Sequence, residues 1–147
     1  MKIGIACDHG GFALKDFVKE TLEDKGCEVV DLGTDSFASV DYPDFALKAL
    51  RMLMRGECDR IILMCGTGIG MSMCANRIPG VRGSLCSDPY TAKMSRLHND
   101  SNCLIMGGRV IGEAIAKEIV DAWLSTPFEG GRHKGRLEKI ELIPSKI

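Results

Sequence analysis

The chain has 147 residues, 45% of them hydrophobic and 27% charged, with a formal net charge of −1. That profile fits one ordinary globular domain, 1–147, large enough to bury a real core, and its balanced charge points to neither nucleic acid nor a membrane surface. No apolar run approaches the roughly 20 residues of a membrane-spanning helix, and Lys2 to Ala6 read as a strand with no signal-peptide core before it.

The elements alternate. After the first strand, Leu14, Phe17, Val18 and Leu22 form one stripe of a helix, and Gly26 is placed to stop it. Cys27 to Leu32 read as a second strand, and residues 33–42 as a polar loop. Pro43 opens a second helix, whose stripe is Ala46, Ala49, Leu50, Leu53 and Met54. Arg60–Met64 is a third strand, rich in Ile and Leu, and a short helix over Met71–Arg77 follows the glycines behind it. Val81–Cys86 and Cys103–Met106 are the fourth and fifth strands. Helices are expected around 88–98 and 112–124, the latter carrying Ile115, Ile119, Val120, Trp123 and Leu124. A last helix over about 132–143 carries Leu137, Ile140 and Ile143. Strands alternating with helices predict a parallel five-stranded sheet between two helical layers, an α/β/α domain. In such sheets ligands sit outside the strand C-termini, near the switch point.

Those strand ends are unusual here. The first is followed by Cys7-Asp8-His9-Gly10-Gly11, the third by Cys65-Gly66-Thr67-Gly68-Ile69-Gly70, and the fifth by Gly107-Gly108-Arg109. Glycines let backbone N–H groups approach a ligand closely. A helix N-terminus favours negative charge and lowers a thiol pKa from its ordinary value of about 8.5. Cys65 is therefore placed to act as a thiolate base beside a developing oxyanion. Each feature also has a plainer reading. Cys65 could be a small buried hydrophobe, Asp8 a helix cap, His9 an exposed turn residue, and Gly107-Gly108 a turn needing unusual φ. Their joint occurrence at strand ends favours a site. Away from those ends, His98-Asn99-Asp100 reads locally as helix termination. Arg132, Lys134 and Arg136 crowd the start of the last helix, where positive charge opposes the dipole and invites a phosphate.

Several chemistries are excluded. Neither glycine loop has the G-x-G-x-x-G dinucleotide spacing, and no G-K-[ST] phosphate loop exists. A cysteine phosphatase would need Arg at position 71, which is Met71. A receiver domain would need an acceptor Asp where Cys65 stands. The seven cysteines include no C-x-x-C pair. The three histidines, His9, His98 and His133, are far apart in sequence, so no metal is expected. Free thiols in apolar patterns suit a reducing cytoplasm.

The chain resembles the ribose-5-phosphate isomerase type B group, whose wider family includes galactose-6-phosphate and allose-6-phosphate isomerases. The resemblance rests on CDHGG at 7–11, DYPD at 41–44, CGTGIG at 65–70, SRLHND at 95–100, GGRV at 107–110 and EGGRHKGR at 129–136. It implies a cofactor-free aldose–ketose isomerase acting on a small sugar phosphate, with no nucleic-acid or membrane partner. The implied assembly is a homodimer at minimum, with a tetramer as the alternative, whose C-terminal helix reaches the partner subunit. Cys65 resembles the base that moves a proton between C1 and C2. Thr67 and His98 resemble the pair assisting ring opening, and Asp8 resembles a group contacting the hydroxyls near the reacting carbons. The amides of Gly66, Thr67, Gly68, Ile69 and Gly70 resemble the cis-enediolate hole. His9, Arg109, Arg132 and Arg136 resemble phosphate ligands, while Tyr42 and Asn99 resemble substrate contacts. The resemblance further suggests that the last helix reaches a site completed by the neighbour's His98 and Arg109. Some relatives carry a Glu base where Met71 stands. Retention of Cys65, His98 and Asn99 favours ribose 5-phosphate over a six-carbon substrate or a non-catalytic binding subunit.

Overall fold

Short apolar runs become strands and striped segments become helices, in the order β1 (Lys2–Cys7), α1 (Phe12–Glu23), β2 (Glu28–Asp31), α2 (Tyr42–Met54), β3 (Arg60–Cys65), α3 (Ile69–Ala75), β4 (Gly83–Leu85), α4 (Pro89–Asn99), β5 (Cys103–Gly107), α5 (Glu113–Ser125) and α6 (Arg132–Glu141). The computed structural model describes residues 1–143; residues 144–147 of the expected domain lie outside them. All strand pairings are parallel, in the order β2-β1-β3-β5-β4. The expected three-layer α/β fold is the one observed.

Side chains on successive strand residues alternate between two cores. Ile3, Ile5, Ile62, Met64, Leu104 and Met106 pack with α1, α4 and α5 through Leu14, Val18, Ala92, Ile119 and Trp123. Ala6, Ile61, Leu63, Cys65 and Ile105 pack on the opposite face with α2 and α3 through Ala49, Leu50, Met71 and Ala75. Right-handed crossovers account for this division. Chain order runs outward from β1 to β2, then back across β1 to β3, so α1 and α2 lie on opposite faces.

The edge strands are shorter than expected: β2 loses Cys27 and Leu32, and β4 loses Val81, Arg82 and Cys86. Each edge strand pairs with one neighbour only, so pairing stops where the twist carries its end away. The central strands β1, β3 and β5 are buried on both faces, and β3 extends one residue beyond expectation, to Cys65. Lys15 stands on α1 and is buried. Its Nζ reaches Asp31 Oδ2 at 2.9 Å and the Thr34 carbonyl at 2.9 Å, fixing the start of the loop that returns toward His9.

Candidate active site

Strand order decides the site. Because β1, β3 and β5 are neighbours, their three C-terminal loops lie side by side. Asp8 N–H donates to the Met64 carbonyl at 3.2 Å, Gly108 N–H to Cys65 at 2.8 Å and Arg109 N–H to Gly66 at 3.0 Å. The loops touch backbone to backbone. A Cβ on Gly10 would stand 2.6 Å from the Gly66 nitrogen, one on Gly108 2.7 Å from the Gly10 oxygen, and one on Gly107 2.8 Å from the Thr67 carbonyl. Gly107 and Gly108 are thus glycines for space, not for the unusual φ of their plainer reading; neither has positive φ. Gly68 differs, with φ of +80°, and a side chain there would also meet Leu85.

Cys65 ends β3 with only 5% of its surface exposed. Its Sγ accepts from Gly68 N–H at 3.1 Å, and Ile69 N–H donates to Thr67 Oγ1 at 3.3 Å. Two of the five expected enediolate-facing amides are therefore engaged within the loop. Gly66, Thr67 and Gly70 keep unpaired N–H groups among the described residues; that of Gly70 is unpaired because it opens α3, and the other two lie in the loop ahead of the helix. Met71 is fully buried, so this position packs the core. Burial raises the thiol pKa of Cys7 to about 11 and also raises those of Cys58, Cys74, Cys86 and Cys103, which keeps those five as inert thiols at neutral pH.

The neighbours of Cys65 follow the glycines. The Asp8 carboxylate accepts from Gly10 N–H at 2.8 Å and Gly11 N–H at 3.1 Å, so it holds the loop ahead of α1 as well as standing at the site. His9 Nδ1 accepts from Val40 N–H at 3.2 Å, a hydrogen-bond pattern that assigns the neutral ring's proton to Nε2. Val40, in the 33–42 loop, carried no sequence signal for this contact. The ring of Tyr42 covers Gly70, where a Cβ would come within 2.6 Å of Tyr42 Cζ. Arg109 is exposed and crosses Gly66, its Cδ 3.5 Å from where a Gly66 Cβ would stand.

His98, Asn99, Arg132 and Arg136 do not join this group within one chain. Helix α4 runs back from β4, so its last turn sits at the strand N-termini. There Ile61 N–H donates to Asn102, and Arg82 N–H donates to Asn102 Oδ1. Roughly 13 Å of strand separates Ile61 from Cys65 at the usual rise per residue. Asp100, a non-glycine residue with φ of 45°, is held beside His98 by Arg82 Nη2 at 3.0 Å and Arg96 Nη1 at 2.8 Å. Asn99 lines a cleft with Asn76, Arg82, Leu137 and Ile140. The expected grouping of His98 with Arg109 is therefore corrected: Arg109 lies beside Cys65, and His98 lies beside α6 at the other edge. Arg109, Arg132 and Arg136 have no ion-pair partner among the described residues.

Sequence distance also misled for the histidines. His98 and His133 stack, with ring centroids 4.3 Å apart and planes 12° from parallel. With Glu129 they offer metal-ligand atoms within 4.8 Å of one another. A tetrahedral zinc shell needs ligands about 3.3 Å apart, given metal–nitrogen distances near 2.0–2.1 Å. Stacked rings turn faces, not lone pairs, toward each other, so this geometry is not a formed metal shell. Burial lowers the His133 pKa, and His98, Arg132 and Arg136 lower it further against the opposing pull of Glu129. The unfolded chain then takes up this proton before the folded one does, as pH falls through about 6.5. Stability from this group is complete above that pH and declines below it. Melting temperature should accordingly fall from pH 7 to 5.5 more steeply in the native chain than in His133→Phe; equal slopes would remove His133 as a source.

A family model described as Ribose/Galactose Isomerase matches residues 3–140. The chain is 48% identical over 145 residues to ribose-5-phosphate isomerase B of Escherichia coli (strain K12), covering 99% of this chain and 97% of that protein. It is 39% identical over 141 residues to a D-erythrulose-4-phosphate isomerase of Pectobacterium atrosepticum, covering 95% and 93%. The solved structure of Clostridium thermocellum ribose-5-phosphate isomerase B superposes with a TM-score of 0.96 at 51% identity, covering 99% of both chains. A likeness that spans the sheet, the three glycine-lined strand ends and the helix beginning at Arg132 is a likeness of the whole architecture, and the chain belongs to the Ribose/Galactose Isomerase family.

Proposed function

We propose that this chain interconverts D-ribose 5-phosphate and D-ribulose 5-phosphate by ring opening and proton transfer through a cis-enediolate, with Cys65 as base. The observation that carries this reading is the Cys65 sulfur at the end of β3, bordered by unpaired N–H groups of Gly66, Thr67 and Gly70. A proton α to a carbonyl leaves only if the resulting oxyanion is stabilised, and preorganised amides stabilise it without solvent reorganisation. Cys65 takes the proton from C2 of the opened aldose and returns it to C1. Asp8 and Tyr42 contact the hydroxyls. His9, Arg109, Arg132 and Arg136 hold the phosphate, which fixes the distant C1–C2 unit for reaction. A base and amide cradle intact in this form argue against a non-catalytic binding subunit. The two relatives described above as ribose-5-phosphate isomerase B, 48% and 51% identical to this chain, are more similar to it than the isomerase named for a four-carbon sugar, at 39%.

The site is shared between two subunits in this reading. Thr67 and His98 stand at opposite edges of one chain, so they work on one sugar only if His98, Asn99, Arg132 and Arg136 come from a partner. Exposed apolar side chains at both edges suit such an interface: Ile69 and Met73 on α3, and Ile140 and Ile143 on or just beyond α6. The family likeness and the free cysteines suit a cytoplasmic metabolic enzyme. A coupled assay for ribulose 5-phosphate, run on protein exhaustively treated with chelator, tests activity and metal independence together. Full activity is expected. No turnover in untreated protein would sink the activity, and loss with rescue by one divalent ion would sink the mechanism.

A further inference from the structure

Among the described residues the His9 ring has one hydrogen bond, from Val40 N–H to Nδ1 at 3.2 Å. Val40 stands near the end of the loop between β2 and α2. Residues 35–39 of that loop make no hydrogen bond among the described residues, so its own backbone does not shape it. Ordering such a stretch costs conformational entropy that other contacts must offset. Those contacts come from α1. The buried Lys15 Nζ reaches Asp31 Oδ2 and the Thr34 carbonyl, both at 2.9 Å. Asp31 Oδ1 in turn accepts from Gly33 N–H at 2.9 Å, and a Cβ on Gly33 would stand 3.0 Å from Lys15 Cδ. The base of the loop is therefore moulded around the lysine. Further along, Phe37 is 69% exposed and adds little to the core. Its ring meets Phe12 edge to face, a favoured aromatic geometry, with centroids 4.7 Å apart and planes at 88°. Lys15 Nζ lies 5.3 Å from the centroid of the same Phe12 ring. Phe12 opens α1 directly after the His9-Gly10-Gly11 turn, so the loop and the imidazole it supports share one footing.

We propose that Lys15 and Phe37 are positioning residues for His9: they fasten the 33–41 loop to α1, so that the Val40 amide holds the His9 ring with Nε2–H turned toward the substrate phosphate. This rests on the reading of His9 as a phosphate ligand. The χ2 torsion of an imidazole turns through a broad well, and a ring turned over presents the other nitrogen. A backbone amide can only donate, so it selects the Nδ1 lone pair of the neutral ring and leaves Nε2–H as its one donor. Lys15 and Phe37 make no hydrogen bond to His9 themselves; they act through the place of Val40.

The test is a double-mutant cycle on the full chain, read as KM for ribose 5-phosphate. His9→Ala should raise KM about ten- to a hundredfold, as loss of a charged hydrogen bond does. Lys15→Met and Phe37→Ala should each raise it about three- to tenfold, with kcat within about threefold of native. In the His9→Ala background neither should raise KM further, because the ring they position is gone. A lysine or phenylalanine that served stability alone would add its effect in full. Phe37→Ala removes an exposed ring and keeps the test open if Lys15→Met, which empties a buried site, does not fold. Hydrogen exchange followed by NMR gives a readout without turnover. The Val40 amide should exchange at least about tenfold faster in His9→Ala and in Phe37→Ala than in the native protein. Unchanged KM in folded Phe37→Ala, effects that add to that of His9→Ala, a fall in kcat with KM unmoved, or a Val40 amide that exchanges as fast in the native protein as in His9→Ala would each overturn the proposal. His9→Ala with unaltered KM, or native protein without turnover, would instead fail the reading of the site on which the proposal rests, and the proposal with it.

Discussion

Cys65→Ala should lower isomerisation of ribose 5-phosphate by at least about a thousandfold, within the range that a positioned general base contributes, while ribulose 5-phosphate still binds. Alanine removes the sulfur that accepts from Gly68 N–H and leaves the backbone that closes the loop, since Gly108 N–H bonds the Cys65 carbonyl and not its side chain. The amide cradle and the arginines remain, so affinity measured by calorimetry should change little while kcat collapses, as for an interaction made mainly in the transition state. Cys58→Ala and Cys74→Ala serve as controls, because Cys58 precedes β3 and Cys74 lies in the last turn of α3, and burial raises the pKa of both thiols. Near-normal turnover in Cys65→Ala would remove the base from the mechanism.

Arg136→Ala should raise KM roughly ten- to a hundredfold, the equivalent of a charged hydrogen bond worth about 1.5–3 kcal/mol. The more telling result comes from mixing variants. Cys65 and Arg136 occupy opposite edges of the chain, so a two-fold dimer pairs the Cys65 edge of each subunit with the Arg136 edge of the other. A hybrid of Cys65→Ala and Arg136→Ala then carries one doubly damaged site and one intact site. Random exchange makes half the dimers hybrids, and roughly a quarter of native activity should return when substrate is kept well below the variant KM. Cys65→Ala with His98→Ala should complement in the same way. Arg136→Ala with His98→Ala should not, because both lesions lie at one edge and every hybrid site is damaged. With subunit exchange demonstrated, no recovery in the first pair or full recovery in the last would show that the site is not divided in this way.

The pattern of this chain determined the kind of fold and the chemistry of its strand ends. Both are local. Apolar runs such as Ile61–Met64 and stripes such as Leu14, Val18 and Leu22 need only their own periodicity to declare a strand or a helix face. A cysteine followed by alternating glycines declares a backbone that must come close to something. The edge strands were harder to delimit, because the ends of β2 and β4 depend on a single neighbour that no local window contains. Which loops would meet was also beyond local pattern. Asp8, Cys65 and Arg109 converge because the order β2-β1-β3-β5-β4 sets three alternate strands side by side, and long-range pairing alone fixes that order. The same topology sends His98 to the far edge, since a crossover helix must return to where the next strand begins. It also brings His133 onto the face of His98 across 34 intervening residues. Side-chain stacking leaves no trace in spacing, so only the packed structure could decide that two histidines distant in sequence form one unit.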